Sequence, residues 1–596
     1  MKSSAVPLFF VIAGCLPDVS GQSLPPECHV DSDCPVSGQV CDESLCWGDP
    51  PPGNYAALVG PPQSNRGDLV VTEIPELSIP QDGGFGDLIL QAPVHIGGRV
   101  HLGCNAFDFA GCDANAAVAA SITVIRPSRI QGGPQYVDST TSDATATTGD
   151  TFSVSVPRLA LSDTPYTMTI TPDETIPVVD GGPSAAELAP PLTIQVDATD
   201  DITGLDVTLG QGALRAVSGR ITDATGAGVT GVRVSALGRF EALQPLERVS
   251  TVAVTDGNGY YTIFIAEAAY PIVDIVGHPQ DKPGMTLRLR DVAADQPAQS
   301  VAELRIPAAG KPISVTLPVT GHSGAGVATP VAGATVDVTT ELVDTSHPLQ
   351  TTTFEVTTST DAHGNATLSL IPAGGSNLRE YDVRINPAPT SEFASVYAKK
   401  IEVGTTGGVL GAIDLPHRVA ITGSLVDADG VPAEGVTVTA QLSLRLGLTL
   451  DTQTQALLSS LQPPTTATKP DGSYFVWVDP DLAGTAASYD LECVPPAGSR
   501  SPRWTFHDVT LAKDKDTTPM GTQGLPRGRH VRGRVVDEYG TAVSGSEVRL
   551  YEVVLDPSLC MASNLPSSCV LPAVLRSVDR SDDQGIVRLV LPDDRP

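Results

Sequence analysis

The residues of this 596-residue sequence best equipped for chemistry are its ten cysteines and ten histidines. Cys28, Cys34, Cys41 and Cys46 sit in ECHVDSDCPVSGQVCDESLC, with gaps of five, six and four residues. Structural zinc sites favour paired C-x₂₋₄-C spacing. Disulfides are therefore the expected use, in a stretch too small and polar to hold a shape without them. Cys104 with Cys112, and Cys560 with Cys569, can each close a short loop, worth about 2–3 kcal/mol by loop entropy. Cys493 is left over. It stands in the phrase Tyr489-x-Leu491-x-Cys493-x-Pro495, which predicts an inward-facing small hydrophobe. His95 and His101 come nearest to a histidine pair, but no third ligand follows at useful spacing. H-E-x-x-H, G-x-S-x-G and a phosphate-cradling glycine loop are absent, and GHSGAG at Gly321 misses the nucleophile elbow by one residue. The turns DATDD (Asp197 to Asp201) and TDGNG (Asp256, Asn258) offer oxygens to Ca²⁺, yet Asx-turns account for the same residues without a metal. No enzyme activity, catalytic residue, cofactor or metal is expected. Sugar binding needs exposed rings beside polar groups. Of the three tryptophans, Trp477 is expected in the core with Phe475, while Trp504, with His507 nearby, is the candidate sugar contact.

The first residues bear on the compartment. MKSSAVPLFFVIAGC has one lysine and an apolar run from Ala5 to Ala13. That run is far short of the roughly 20 residues a membrane helix needs and suits the h-region of a signal peptide. Ile12-Ala13-Gly14-Cys15 resembles a bacterial lipobox, which implies lipidation of Cys15 and a membrane partner through that lipid. Leu16 follows where an inner-membrane lipoprotein would carry a retention aspartate. Export to the outer membrane or cell surface is the corresponding expectation. The net charge of −32 repels phosphate backbones, which excludes nucleic acid as a partner class.

The elements that must carry these residues show in a repeated phrase. VSGRITDATGAGVTGVRVSA from Val217 returns as ITGSLVDADGVPAEGVTVTA from Ile421 and VRGRVVDEYGTAVSGSEVRL from Val531. The glycine triplets Gly219/226/231, Gly423/430/435 and Gly533/540/545 keep spacings of seven and five. Alternating apolar residues around an Asp-Gly turn read as strand, turn, strand. A second phrase follows each time: TDGNGYY at Thr255, TDAHGNA at Thr360, TKPDGSYF at Thr468 and SDDQGIV at Ser581. A third, Tyr-x-apolar-x-apolar-x-Pro, stands at Tyr166, Tyr381 and Tyr489. The period of about 100–120 residues exceeds that of solenoids, so each repeat has its own core.

VxGxVxDxxGxxVxGVxV followed by TDxxGxY resembles the carboxypeptidase regulatory-like domain, well at Val217, Ile421 and Val531 and weakly at Val319. The resemblance implies an all-β chain, a tandem array of Ig-like or transthyretin-like (prealbumin-like) β-sandwich domains of about seven strands, with a carbohydrate-binding-like fold. The whole layout resembles surface lipoproteins of GC-rich bacteria such as myxobacteria. The expected organisation is a signal peptide at 1–14, a disulfide segment at 15–50 and a linker with one strand at 51–92. A divergent sandwich at 93–214 follows, then sandwiches at 215–317, 318–416 and 417–527. The unit at 528–596 is expected to be incomplete: it lacks the Tyr strand and the closing strand, so it pairs with another chain, is the least stable unit, or is truncated. The expected function is a non-enzymatic spacer or adhesion array of the cell envelope with an unidentified protein or glycan partner. Surface carbohydrate binding is the alternative, and the accessory subunit of a peptidase the third.

Overall fold

The computed structural model describes residues 27–593 apart from a set of loops. Left out are 36–37, 43, 66, 104–116, 146–148, 161–162, 179–181, 239–246, 267–271, 308–310, 323–327, 343–349, 374–377, 444–462, 483–484, 497–498, 513–515 and 554–572. Cys15, Cys104, Cys112, Cys560 and Cys569 lie outside the described residues. The chain is a tandem array of β-sandwiches, as the alternation of apolar and polar residues predicts.

One seven-strand plan recurs five times, and the unit at 419–524 shows its logic. The opening strand Val419–Val426 pairs antiparallel with Ser473–Val478 and parallel with the closing strand Thr517–Gly524. In the second sheet, Thr437–Leu442 lies between Thr465–Ala467 and Ser488–Val494, and the latter pairs with Trp504–Thr510. With a side-chain period of two, Tyr474, Val476 and Val478 share one core with Val438, Ala440, Leu491 and Cys493. The units opening at Val94–Leu102, Leu214–Thr222 and Ile313–His322 repeat these pairings, including the parallel closing strand. Met285–Ala293 of one unit also pairs with Gln350–Ser359 of the next. Their second sheets thus fuse into a nine-stranded sheet, and their cores run together.

The polar residues of the repeated phrases are consumed in building these walls. The hydroxyls of Thr255, Thr360, Thr468 and Ser581 donate to the carbonyls of Val229, Val331, Ala433 and Val543 at 2.6–2.7 Å. The same hydroxyls accept from the amides of Val232, Ala334, Val436 and Ser546 at 2.9–3.0 Å. The neighbouring Asp256, Asp361 and Asp582 each accept two backbone amides in Asx-turns. Gly226, Gly430 and Gly540 hold φ of 79–87°, a region that favours glycine.

The fifth unit is split across the sequence. Gly528–Asp537, Glu547–Glu552, Val574–Arg580 and Ile586–Pro592 supply its first four strands. The stretch 51–92, expected as a linker with one strand, instead carries three, Tyr55–Gly60, Thr72–Leu77 and Gly84–Leu90, and they complete the sandwich. Tyr55–Gly60 pairs antiparallel with Glu547–Glu552, at the register position that Ser488–Val494 holds beside Thr437–Leu442. Thr72–Leu77 adds beside it, and Gly84–Leu90 runs parallel to Gly528–Asp537 as the closing strand. The missing strands are therefore supplied from within the chain. The physical reason is burial: Tyr55, Ala57, Val59, Phe85, Leu88 and Leu90 form one core with Val531, Val535, Val548, Leu550, Val587 and Leu589. Tyr261 and Tyr474 lie over the mid-strand glycines Gly219 and Gly423. Phe85 takes that place over Gly533, where a β-carbon would come within 1.9 Å of the ring.

Candidate functional site

The disulfide segment does not stand apart from the array. Cys28 is bonded to Cys41 and Cys34 to Cys46, and the knot they tie sits on the opening strand of the split unit. Trp47 is buried, pairs in parallel with His530, and holds its ring 5.6 Å from the imidazole. The Arg532 guanidinium lies 5.3 Å from the Trp47 ring centre and pairs with Asp42. The Gly48 amide donates to the His530 carbonyl at 3.0 Å. Glu27 accepts the Cys46 amide at 3.0 Å and stands 3.7 Å from His530 Nε2. Burial pushes the His530 pKa down despite that carboxylate, so the ring is held neutral. Among the described residues, the only group of three or more His, Cys, Asp or Glu with metal-like convergence is Cys28, Cys34 and Cys46. Those sulfurs are engaged in disulfides.

Both Trp477 and Trp504 are half-buried, each on the face of its strand opposite to the one expected. Trp504 stands opposite Cys493, and Phe506 opposite Leu491. Both rings are half-buried against the core of that unit. A bulge at Asp508, with φ 53°, turns His507 outward, where Asp490 lies 3.4 Å away and raises the His507 pKa through a side-chain hydrogen bond. The structure therefore does not present Trp504 and His507 as a joint ring-and-donor surface. Phe475 and Trp477, expected inside, share the outer face of Ser473–Val478, because Tyr474, Val476 and Val478 take the inner one. Phe475 is 45% exposed, faces Thr422 across the pairing, and has Lys469 Nζ 6.0 Å from its ring centre. Trp477 lies edge-on to Phe475 at 75° and to His417 at 82°. His417 in turn meets Phe393 of the preceding unit. Of these four rings, Phe475 is the most exposed.

A cleft of about 660 Å³ lies along the seam of the fused sheet, lined by Lys282, Lys311, Phe354, Glu355, Thr357 and Ile371 among others. His95 and His101 are each bonded locally, His95 to Ser155 and His101 to Thr208 and Asp206. Asp201, in the DATDD turn, accepts the His95 amide at 2.8 Å.

The best-built contacts are those that join units. Glu73, on the donated strand Thr72–Leu77, is buried against Arg126 of the next unit. It also accepts from Ser128 Oγ at 2.6 Å and the Arg129 amide at 3.2 Å. Further along, Arg248 joins Glu174 at 3.2 Å, and Arg418 joins Asp479 at 2.8 Å and the carbonyls of Pro389 and Ser391. Arg527, at the start of the split unit, reaches Asp429 of the fourth at 2.6 Å. The five sandwiches thus form a closed circuit of contacts. No helix among the described residues is long and apolar enough to cross a membrane.

No family model matches the sequence, and no curated protein matches it. Among solved structures, the streptococcal ancillary pilin is similar at 11% identity and a TM-score of 0.18, covering 54% of this chain and 99% of its own. The Bacillus anthracis TIE protein is similar at 8% identity and 0.15, covering 73% and 74%. BcpA, the major pilin subunit of Bacillus cereus, is similar at 9% and 0.13, covering 53% and 99%. Scores this low carry no argument, and the fold rests on the strand pairing described above.

The split unit left one signal in the sequence. Tyr55-x-Ala57-x-Val59-x-Pro61 is the third repeated phrase, displaced to the other end of the chain. The Tyr166, Tyr381 and Tyr489 hydroxyls donate at 2.7–2.8 Å to Pro157, Ile371 and Asp479, each just beyond the preceding strand. Among the described residues Tyr55 has no such strand before it, and it donates to the Pro51 carbonyl at 2.9 Å.

Proposed function

We propose that this is a non-enzymatic protein of the cell envelope, exported and lipid-anchored at Cys15, whose sandwiches act as a spacer and interaction array. The units are of the carboxypeptidase regulatory-like type. The observation that carries the reading is the use of the repeated residues: apart from Asp429, which reaches Arg527 of the split unit, the Thr, Asp and Gly described in the phrases serve turns and hydrogen bonds within their own unit. What the chain repeats is architecture. The buried arginine junctions between units support a role in holding a set geometry. Replacing Cys15 by Ala tests the anchor. The protein should leave the membrane fraction or accumulate unprocessed, and a variant that fractionates like the parent overturns the lipid-anchored reading.

A second reading, surface glycan binding, is favoured by one observation, the outward Phe475 ring beside Thr422 with Lys469 above it. Phe475→Ala should abolish binding to any glycan that the intact chain retains on an array. Retained binding moves the site elsewhere.

A further inference from the structure

We infer that the split unit is a docking site for a second copy of this chain, which can supply strands 55–90 in place of the chain's own. The inference rests on how completely the closed form can be remade between two copies. The half at 528–593 cannot close its sandwich alone, because six of the fourteen described buried residues in that core come from 55–90. Without them, Gly528–Asp537 and Glu547–Glu552 both present unpaired edges. Any copy carries the same donor strands, with the same register and the same Phe85 to lie over Gly533. Strand addition of this kind takes its affinity from main-chain pairing and its specificity from alternate side-chain pockets.

The hinge is short and well placed. Leu525, Pro526 and Arg527 alone connect the closing strand of the fourth unit, ending at Gly524, to the opening strand at Gly528. Swinging 528–593 about this hinge leaves the donor strands on their own copy, still tied to the next unit through Glu73 and Arg126. The contacts between the two halves of the split unit re-form against the other copy. So does the docking of the disulfide knot on His530, and the bond from the Ala573 amide to the Gly132 carbonyl. The contacts not automatically remade are those at the hinge, such as Arg527 with Asp429. Exchange therefore costs hinge contacts and association entropy rather than core burial, the condition under which domain swapping is a low-cost route to assembly. At low concentration the chain's own strands win, because their tether gives them a high effective concentration. Reciprocal exchange gives a closed dimer, and onward exchange gives a head-to-tail chain.

Complementation between two full-length variants tests this. Phe85→Asp spoils the donor strands of one copy, and Leu589→Asp spoils the acceptor half of a differently tagged copy. Mixed from mild denaturant, they should form a one-to-one heterodimer with a single sound split unit. In it, residues 528–593 of the Phe85→Asp copy should recover at least tenfold in amide protection over that copy alone. Protection of 419–524 should be unchanged in each variant, which shows that the remaining units are folded. Monomers only, at every concentration tried, with 528–593 of the Phe85→Asp copy still unprotected, would overturn the inference.

Discussion

Cys493 shows how a residue of reactive type is disarmed by its strand. It lies opposite Val438 on one side and Trp504 on the other, is 1% exposed, and is the free cysteine among the described residues. Burial pushes its pKa up to about 12, so the thiolate that would react is scarce at neutral pH. A thiol reagent should label it only as fast as the unit opens. Cys493→Val should cost less than about 1.5 kcal/mol, as volume-conserving core changes do, read from denaturant midpoints. The turn aspartates behave in the opposite sense. Asp537 accepts the Thr541 and Tyr539 amides at 2.8 and 2.9 Å, and these bonds hold its pKa below the ordinary value. A carboxylate whose folded pKa is depressed stabilises the fold above its unfolded pKa, near about 4, and loses that contribution as pH falls through the folded value. Asp537→Asn, whose side-chain oxygen can still accept both amides, should keep the turn and flatten the acid limb of the stability curve. Asp537→Ala should weaken the unit at every pH. Identical acid limbs in Asn and parent would remove Asp537 from the titration.

Among the elements, the donated strand Thr72–Leu77 carries the most consequential side chain. Glu73 neutralises an Arg126 that is 2% exposed, whose Nε has no hydrogen-bond partner and whose guanidinium lies 5.5 Å from the Tyr166 ring centre. Glu73→Ala should cost about 3 kcal/mol, the low end for breaking a buried pair, because Asp163 still stands 3.9 Å from Arg126 Nη1, whereas the double change Glu73→Met with Arg126→Met should restore most of the loss. A double-mutant cycle on thermal unfolding decides between them, and additive losses would mean the pair is not coupled. Much of the element plan was legible in the sequence, because glycine spacing and period-two alternation are local signals. The partner of an element was less so. YAALVGP reads as a Tyr strand as plainly as its three counterparts, but its mate lies some 490 residues away, and neighbours in sequence were the natural candidates. Face assignment failed for a related reason. In YFVWV either set of alternate residues could face inward, and only the register against Val419–Val426 puts Tyr474 on the core side and Trp477 outside. For Trp504 the sequence offers only a nearby His507, and the pairing with Cys493 is what fixes the face its ring takes.

At the scale of the molecule, the split unit turns a row of sandwiches into a closed circuit, because strands from both sides of four intervening units share one core. The expectation of a weak final unit rested on its missing strands. With 55–90 in place, residues 531–592 should exchange amide protons about as slowly as 419–524. Removing 27–92 should reverse this. Of the core residues that the half left behind loses, five carry large side chains, and at about 2–5 kcal/mol each their sum matches or exceeds the roughly 5–15 kcal/mol that holds a whole domain together. Residues 528–593 should then lose protection while 419–524 keep theirs, since no strand of the latter comes from 27–92. The same deletion removes Glu73 and so unties the first unit from the last. Solution scattering should accordingly show a larger radius of gyration in the deleted chain than in the intact one, despite its smaller mass. An unchanged or smaller radius, with 528–593 still protected, would mean that the circuit is held by contacts other than the shared sandwich.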